Sequence, residues 1–295
     1  MNFLSPSSWS DYELVDTGGF EKLERFGEYV LVRPEPQAVW RKSLPQALWD
    51  SMSHAVFRKE KDATRENERG VWMLQSAMPQ QWWVEYRYKE MQLRFRLGLT
   101  AFKHLGIFPE QACNWDFIYD SVQRLHVATP RVLNLFAYTG GASLAARAAG
   151  ADVTHVDSVR QVINWSRENM EASRLSGVRW MVEDALKYVR REVRRNKRYH
   201  GIILDPPAYG RGPDGEKWVL EEGINELMEC CRQLAVPQPF FLVLNLYSMG
   251  FSSLIAENLA TSYFPALDGE YGELCIADRS GKRLPLGVFM RGSVG

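Results

Sequence analysis

Four segments carry the side chains best suited to chemistry: Asn134-Leu135-Phe136-Ala137-Tyr138-Thr139-Gly140-Gly141, then Asp157, then Glu183-Asp184, then Asp205-Pro206-Pro207-Ala208-Tyr209. Each follows an apolar run of strand length. A glycine turn and then acids at successive strand ends is how an α/β sheet builds a nucleoside pocket. The glycines let backbone N–H groups approach a ligand at a helix N-terminus. Asp157 follows Gly140 by about 17 residues, near the roughly 20 at which an acid reaches ribose hydroxyls in dinucleotide folds. Capping of the following helix is the competing role for Asp157. Asp184 has the same two options, adenine amine or helix cap, and one side chain does not easily serve both.

A nicotinamide dinucleotide would also suit these acids. The turn lacks GxGxxG, however, and bulky Phe136 and Tyr138 stand where a diphosphate needs bare backbone. A nucleoside cofactor without phosphates fits better. In the fourth segment two prolines fix the backbone and leave carbonyls without ladder partners. Those carbonyls and Asp205 suit a planar amine donor. Tyr209 suits base stacking, or simple packing of its loop. Gly210, Gly212 and Gly215 suggest a mobile lid after it.

The elements that must position these residues are read from periodicity. From Pro130 onward, apolar runs at 132–136, 152–156, 178–182, 201–204 and 240–246 alternate with helical segments at 141–149, 159–173, 184–195 and 217–234. That alternation predicts βαβ units and a parallel sheet with all strand C-terminal ends on one edge. Residues 272–277 and 285–290 predict a closing antiparallel hairpin. Before residue 100 the pattern is different: strands at 12–15, 20–26 and 29–32, a charged surface loop at 54–71, and two strands within 84–95. The expected division is a small β-rich domain at 1–104 and an α/β domain at 105–295.

Taken together, NLFAYTGG, the VDS at 156–158, the EDA at 183–185 and DPPAYGRG resemble the class I S-adenosylmethionine-dependent methyltransferases. Within them they resemble the ribosomal RNA large-subunit methyltransferase group, in its branch without a catalytic cysteine. The resemblance covers residues 105–295 strongly and 12–100 loosely. It implies a Rossmann-like α/β sheet preceded by a small β-rich α+β domain, with S-adenosylmethionine as cofactor. By position, Asn134, Phe136, Tyr138, Thr139 and Gly140 would hold the methionine moiety, Asp157 the ribose and Asp184 the adenine amine. Asp205 would sit beside the cofactor amino group and the incoming substrate, and Pro206, Pro207 and Tyr209 would face the acceptor with it. A segment before the first strand, here including Phe108 and Gln111, would close on the cofactor. No metal is implied.

Relatives that methylate cytosine C5 need a cysteine nucleophile, because the ring carbon must first be activated by covalent addition. Neither DPPAY nor Leu244–Met249 holds one. Cys230 and Cys231 fall within a helix. A nitrogen acceptor, guanine N7 or an exocyclic amine in structured RNA, needs only alignment with the methyl group. The partner expected is RNA, ribosomal by resemblance. The run Lys187, Arg190, Arg191, Arg194, Arg195, Lys197, Arg198 could bind phosphates or form a solvated helix face. Trp72, Trp82, Trp83, Tyr86 and Tyr88 could stack on bases or pack a core.

Thirty-six basic residues balance 36 acidic ones, which argues against indiscriminate nucleic-acid binding. A protein or small-molecule acceptor therefore stays open, as do a module that binds without catalysing and a nicotinamide oxidoreductase. Four cysteines without CxxC spacing make a poor zinc site and a poor disulfide framework, consistent with a reducing cytoplasm. The N-terminus lacks the basic-then-apolar order of a signal peptide. The uncharged stretch 233–256 is broken by Pro237, Pro239, Asn245 and Gly250, and is read as a buried strand and a loop rather than a membrane span.

Overall fold

A computed structural model describes residues 1–6, 8–60, 69–247 and 252–295. The first strand, β1 (Asn2–Leu4), is followed by β2 (Tyr12–Gly18), β3 (Glu21–Phe26), β4 (Tyr29–Pro34), α1 (Gln46–Met52), β5 (Ala55–Lys59) and β6 (Gly70–Leu74). A hairpin of β7 (Gln81–Tyr88) and β8 (Met91–Gly98) comes next, then a 3-10 turn at Pro109–Gln111 and α2 (Ala112–Arg124). The βα alternation begins at β9 (Arg131–Leu135) and runs α3 (Gly141–Ala148), β10 (Asp152–Asp157), α4 (Arg160–Ala172), β11 (Arg179–Val182), α5 (Ala185–Arg194), β12 (Gly201–Leu204). A short hairpin, β13 (Tyr209–Arg211) and β14 (Lys217–Val219), precedes α6 (Leu220–Leu234) and β15 (Phe240–Leu246). The chain ends with α7 (Ser253–Tyr263), β16 (Asp268–Ala277) and β17 (Arg283–Val294).

The large sheet has the order β1-β16-β17-β15-β12-β9-β10-β11. β15, β12, β9, β10 and β11 are mutually parallel, and β17 and β16 add the antiparallel edge. Ile202, Ile203 and Leu204 of β12 and all of Phe240–Leu246 are buried, because helices cover both faces of a parallel sheet. Strand order reverses between β9 and β12, and ligands bind at such a switch point, outside the C-terminal strand ends.

The N-terminal sheet has the order β2-β3-β4-β5-β6, and β7–β8 stands apart as a pair. One buried cluster runs from Tyr12, Phe26, Trp82 and Phe95 through Trp115 to Val132 and Phe241. Trp115 sits at its junction, with its ring against Trp9, Tyr86 and Phe95 at 5.8, 5.4 and 5.1 Å.

Several expectations need correction. Within 54–71, residues 55–59 and 70–71 are strand, because Ala55, Val56 and Phe57 are buried; residues 61–68 lie outside the described residues. The helix expected from 217 starts at Leu220, since 217–219 pair with 209–211. The segment 209–219 is therefore a paired hairpin with its turn tied down: Lys187 Nζ contacts Asp214 at 2.7 Å and Glu216 at 3.0 Å. The loop expected after β15 gives way to α7 from Ser253, capped by the Ser252 hydroxyl. Residues 248–251 of that stretch are outside the described set. Among the described residues no helix is long and apolar enough to cross a membrane.

Candidate functional site

The C-terminal ends of five parallel strands meet at one cavity of about 460 Å³, within the usual range of ~300–1,000 Å³ for small-molecule sites. Phe136 and Tyr138 come from the turn after β9, and Asp157, Ser158 and Val159 from the end of β10. Glu183, Asp184 and Ala185 follow β11, Asp205, Pro206 and Pro207 follow β12, and Asn245–Tyr247 close β15.

The turn after β9 is conformationally costly. Phe136, Tyr138 and Gly140 alternate in left-handed backbone, with φ of 55°, 48° and 95°. Only glycine takes that region freely; a bulky residue there costs roughly 1–3 kcal/mol. The surroundings over-determine it. Asp157 accepts from the Tyr138 N–H at 2.9 Å, and the Ser166 hydroxyl donates to the Tyr138 carbonyl at 2.7 Å. Asn169 donates to the Thr139 carbonyl at 3.0 Å, and the Thr139 hydroxyl donates to the Gly106 carbonyl at 2.7 Å. Asn169 also accepts from the Arg96 N–H at 2.9 Å, so one buried amide ties β8 to the turn. Of the expected residues, Asn134, at the end of β9, and Thr139 and Gly140, within the turn, are not among those lining the cavity. Asn134 donates to Ser143 Oγ at 2.9 Å, which meets His155 Nδ1 at 3.0 Å.

Asp157 does not cap α4; Val159 holds the N-cap position. Its carboxylate instead pins two backbone N–H groups, Tyr138 and Val159, each at 2.9 Å. Burial holds its carboxyl above the ordinary carboxylate value, against those bonds. Asp184 does cap its helix: Oδ1 accepts from Lys187 N–H at 2.8 Å. Since it also lines the cavity, Oδ2 remains for a ligand.

Asp205 has no hydrogen-bond partner among the described residues, and burial alone pushes its pKa up to about 7. Behind it, the Pro207 carbonyl is not free as expected; Trp218 Nε1 donates to it at 2.7 Å. Trp218 lines the cavity and packs on Phe136 at 5.0 Å between ring centroids. Tyr209 is outside the lining, 66% exposed, beside lining residues Gly210 and Arg211.

On the opposite wall, Phe108 packs between His104 and Tyr138 at 5.3 and 5.2 Å. Gln111 Oε1 accepts from Asn114 and Asn245, at 3.0 and 3.1 Å, which leaves its amide N–H groups for a ligand. Glu110 also lines the cavity, with burial pushing its pKa up to about 7.

Sequence reasoning missed Trp218, Asn245 and the Leu286–Val288 stretch of β17, all of which line the cavity. Asn245 had a signal, a lone amide inside an apolar strand. Of the four cysteines none lines the cavity: Cys230, Cys231 and Cys275 are buried, and burial pushes the Cys113 thiol up to about 12.

The basic run on α5 is largely neutralised. Lys187 is held by Asp214 and Glu216, Arg190 by Glu226, Arg191 by Glu183 and Arg195 by Glu192. Of the five aromatics at 72–88, Trp82, Tyr86 and Tyr88 bond to Phe26, Asp116 and Asp120, and Trp72 packs on Phe57. Only Trp83 among them is exposed, at 38%.

Comparison with known proteins bears on what fills this cavity. Residues 34–261, well over half of the chain, match the family described as S-adenosylmethionine-dependent methyltransferase. A crystal structure of the SAM-dependent methyltransferase from Agrobacterium tumefaciens is 35% identical and covers 100% of this chain and 94% of its own, with a TM-score of 0.90. Another methyltransferase structure, complexed with SAH, shares the fold at 18% identity and a TM-score of 0.69, covering 96% of this chain and 76% of its own. Ribosomal RNA large subunit methyltransferase K/L of Shewanella frigidimarina is 27% identical over 223 residues, 70% of this chain. The chain spans 29% of that relative's length.

Proposed function

The chain belongs to the S-adenosylmethionine-dependent methyltransferase family, and on that premise we propose that it methylates a base nitrogen, guanine N7 or an exocyclic amine, in structured RNA such as ribosomal RNA. The observation that carries this reading is the cavity: strand ends deliver Phe136, Asp157, Asp184 and Asp205 to one space, and no cysteine reaches it. The ribosomal relative supports RNA as the acceptor class.

S-adenosylmethionine supplies an electrophilic methyl group on its sulfonium sulfur. The residues present fit it. Asp157 would hold the ribose hydroxyls and Asp184 Oδ2 the adenine amine, with Val159 and Val162, which also line the cavity, available to the base. Phe136, Tyr138, Thr139 and Gly140 shape the backbone around the methionine end, with Asn134 supporting them from below. Phe108 and Gln111 close the opposite wall. Asp205 stands at the acceptor end with Pro206 and Pro207 fixing its backbone, and Tyr209 is exposed beside it to stack on the incoming base. When ionised, Asp205 accepts from an acceptor amine and aligns its lone pair with the methyl group. Residues 1–104, apart from β1, which joins the large sheet beside β16, act as the β-rich domain and 105–295 as the catalytic one.

The test is nucleoside mass analysis of RNA from matched strains with and without this protein. Loss of one methylated nucleoside, marked on a base nitrogen and restored by the purified protein, supports the reading. A lost mark on cytosine C5, or an unchanged RNA profile, refutes it.

A further inference from the structure

Hairpin β13–β14 carries an arrangement with no internal explanation. Its inner face is fixed by Trp218, which is buried and bonded to Pro207. Its outer face presents Tyr209, Arg211 and Lys217. Arg211 and Lys217 are direct cross-strand partners, and both are exposed. Like charges placed opposite each other on a hairpin are unfavourable. The nearby acids do not relieve them, because Asp214 and Glu216 hold Lys187 instead. Neither cation has an acidic partner among the described residues, and Arg211 lines the cavity.

A second set of unpaired cations leaves the same cavity along α4. Val159 and Val162 line the cavity where α4 begins. From there Arg160 and Arg167, then Arg174 just past the helix, repeat every seven residues. Seven residues of helix are about 10.5 Å, so Arg160 and Arg167 share one face. All three arginines are exposed, and none has an acidic partner among the described residues. One acid, Glu171, shares the stripe; Glu168 beside it is held by Arg96 at 2.5 Å. The denser run on α5 is by contrast paired with acids at most positions.

We propose that the substrate's phosphate backbone crosses the cavity mouth on these two elements: Arg211 and Lys217 grip the phosphates flanking the target nucleotide, and Arg160, Arg167 and Arg174 track those beyond it. Tyr209, on the same hairpin face, stacks a base while the paired cations hold its backbone. A polyanion removes the Arg211–Lys217 repulsion, so the pair is arranged for a bound state. With zero net charge, the protein then binds RNA through a local track rather than a global field. The inference rests on RNA being the acceptor.

The test uses two double variants, Arg211→Gln with Lys217→Gln, and Arg160→Gln with Arg167→Gln, and Arg190→Gln on α5 as control. Binding of a fluorescein-labelled, mixed-sequence single-stranded RNA is measured from 50 to 300 mM KCl, together with KM for RNA and melting temperature. Removing one cation from a phosphate lowers the salt slope by about 0.7. Each double variant should therefore show a slope shallower by about 1.4 and bind roughly tenfold more weakly at 150 mM salt. KM for RNA should rise with it, with melting near wild type, while Arg190→Gln leaves the slope unchanged. Wild-type slopes in both double variants, from a protein that does methylate RNA, overturn the track and spare the activity. A wild-type protein that methylates no RNA overturns the reading beneath it. Methylation of an acidic protein that disappears in the same variants assigns the track to a peptide and overturns it for RNA.

Discussion

Asp205 offers a quantitative test, because a single physical cause sets its state. Burial without a hydrogen-bond partner raises its pKa from 3.8 to about 7. The proton therefore binds the folded chain more tightly than the unfolded one. Its contribution to stability is full below about pH 4 and is lost as pH rises toward 7. Between pH 5 and 8.5 the change spans about two units at 1.36 kcal/mol each, an upper limit of about 2.7 kcal/mol. The carboxyl faces an open cavity, and water there reduces the figure to about 1–2 kcal/mol. Asp205→Asn cannot ionise and lacks this slope. In urea unfolding of the cofactor-free protein, the stability of the variant relative to wild type should therefore increase by about 1–2 kcal/mol between pH 5 and pH 8.5. Over the same range kcat of the wild type should rise with an apparent pKa near 7, as the carboxylate becomes able to accept from an amine on the proposed acceptor base. Parallel stability curves for the two proteins would refute the reasoning, since Asp205 would then be solvated in both states.

Asp157→Ala removes the proposed ribose acceptor and leaves two backbone N–H groups without their partner, so calorimetry should show S-adenosylhomocysteine binding weakened by about 1–3 kcal/mol, or 5- to 150-fold; full affinity in a folded variant would remove Asp157 from the site. Asn169→Ala strands the Arg96 N–H and the Thr139 carbonyl, with an expected loss of about 2–4 kcal/mol in urea unfolding and weaker cofactor binding, even though residue 169 is outside the cavity lining. Gly106→Ala would set a Cβ 2.2 Å from the Trp165 ring at a φ of +101°, and should lower stability by about 2–4 kcal/mol, read as a melting shift. Replacing Cys113, Cys230, Cys231 and Cys275 together by Ala should lower the melting temperature but keep RNA methylation, with kcat within about threefold of wild type; abolished turnover in the folded variant would show that a thiol takes part.

The α/β half was legible because parallel strands covered on both faces are written as unbroken apolar runs. Gly201–Leu204 and Phe240–Leu246 can be read at their observed bounds for that reason. The site acids were legible because a polar residue closing such a run falls at the sheet edge where ligands bind. Other features depend on partners distant in sequence. Trp218 sits in the cavity only because the hairpin folds it onto Pro207 and Phe136. Asn245 meets Asn114 across 131 residues, and no local pattern marks that pairing. β5 was hidden because Ala55-Val56-Phe57 is a short apolar run followed by charges. The α5 run looked cationic because Glu226, which neutralises Arg190, is 36 residues away on α6. Counting charge along one helix overstated that patch. The sparser arginines at 160, 167 and 174 form no conspicuous run in the sequence, although none of them has an acidic partner among the described residues.

The most direct measurement is transfer of a labelled methyl group from S-adenosylmethionine, by purified wild-type protein and Asp205→Asn, to ribosomal RNA, transfer RNA and protein from a strain lacking this enzyme. The account predicts label in one RNA nucleoside, on a base nitrogen, with at least a tenfold slower rate for Asp205→Asn and unchanged S-adenosylhomocysteine affinity. Label confined to protein, or equal RNA rates for the two enzymes, would contradict it.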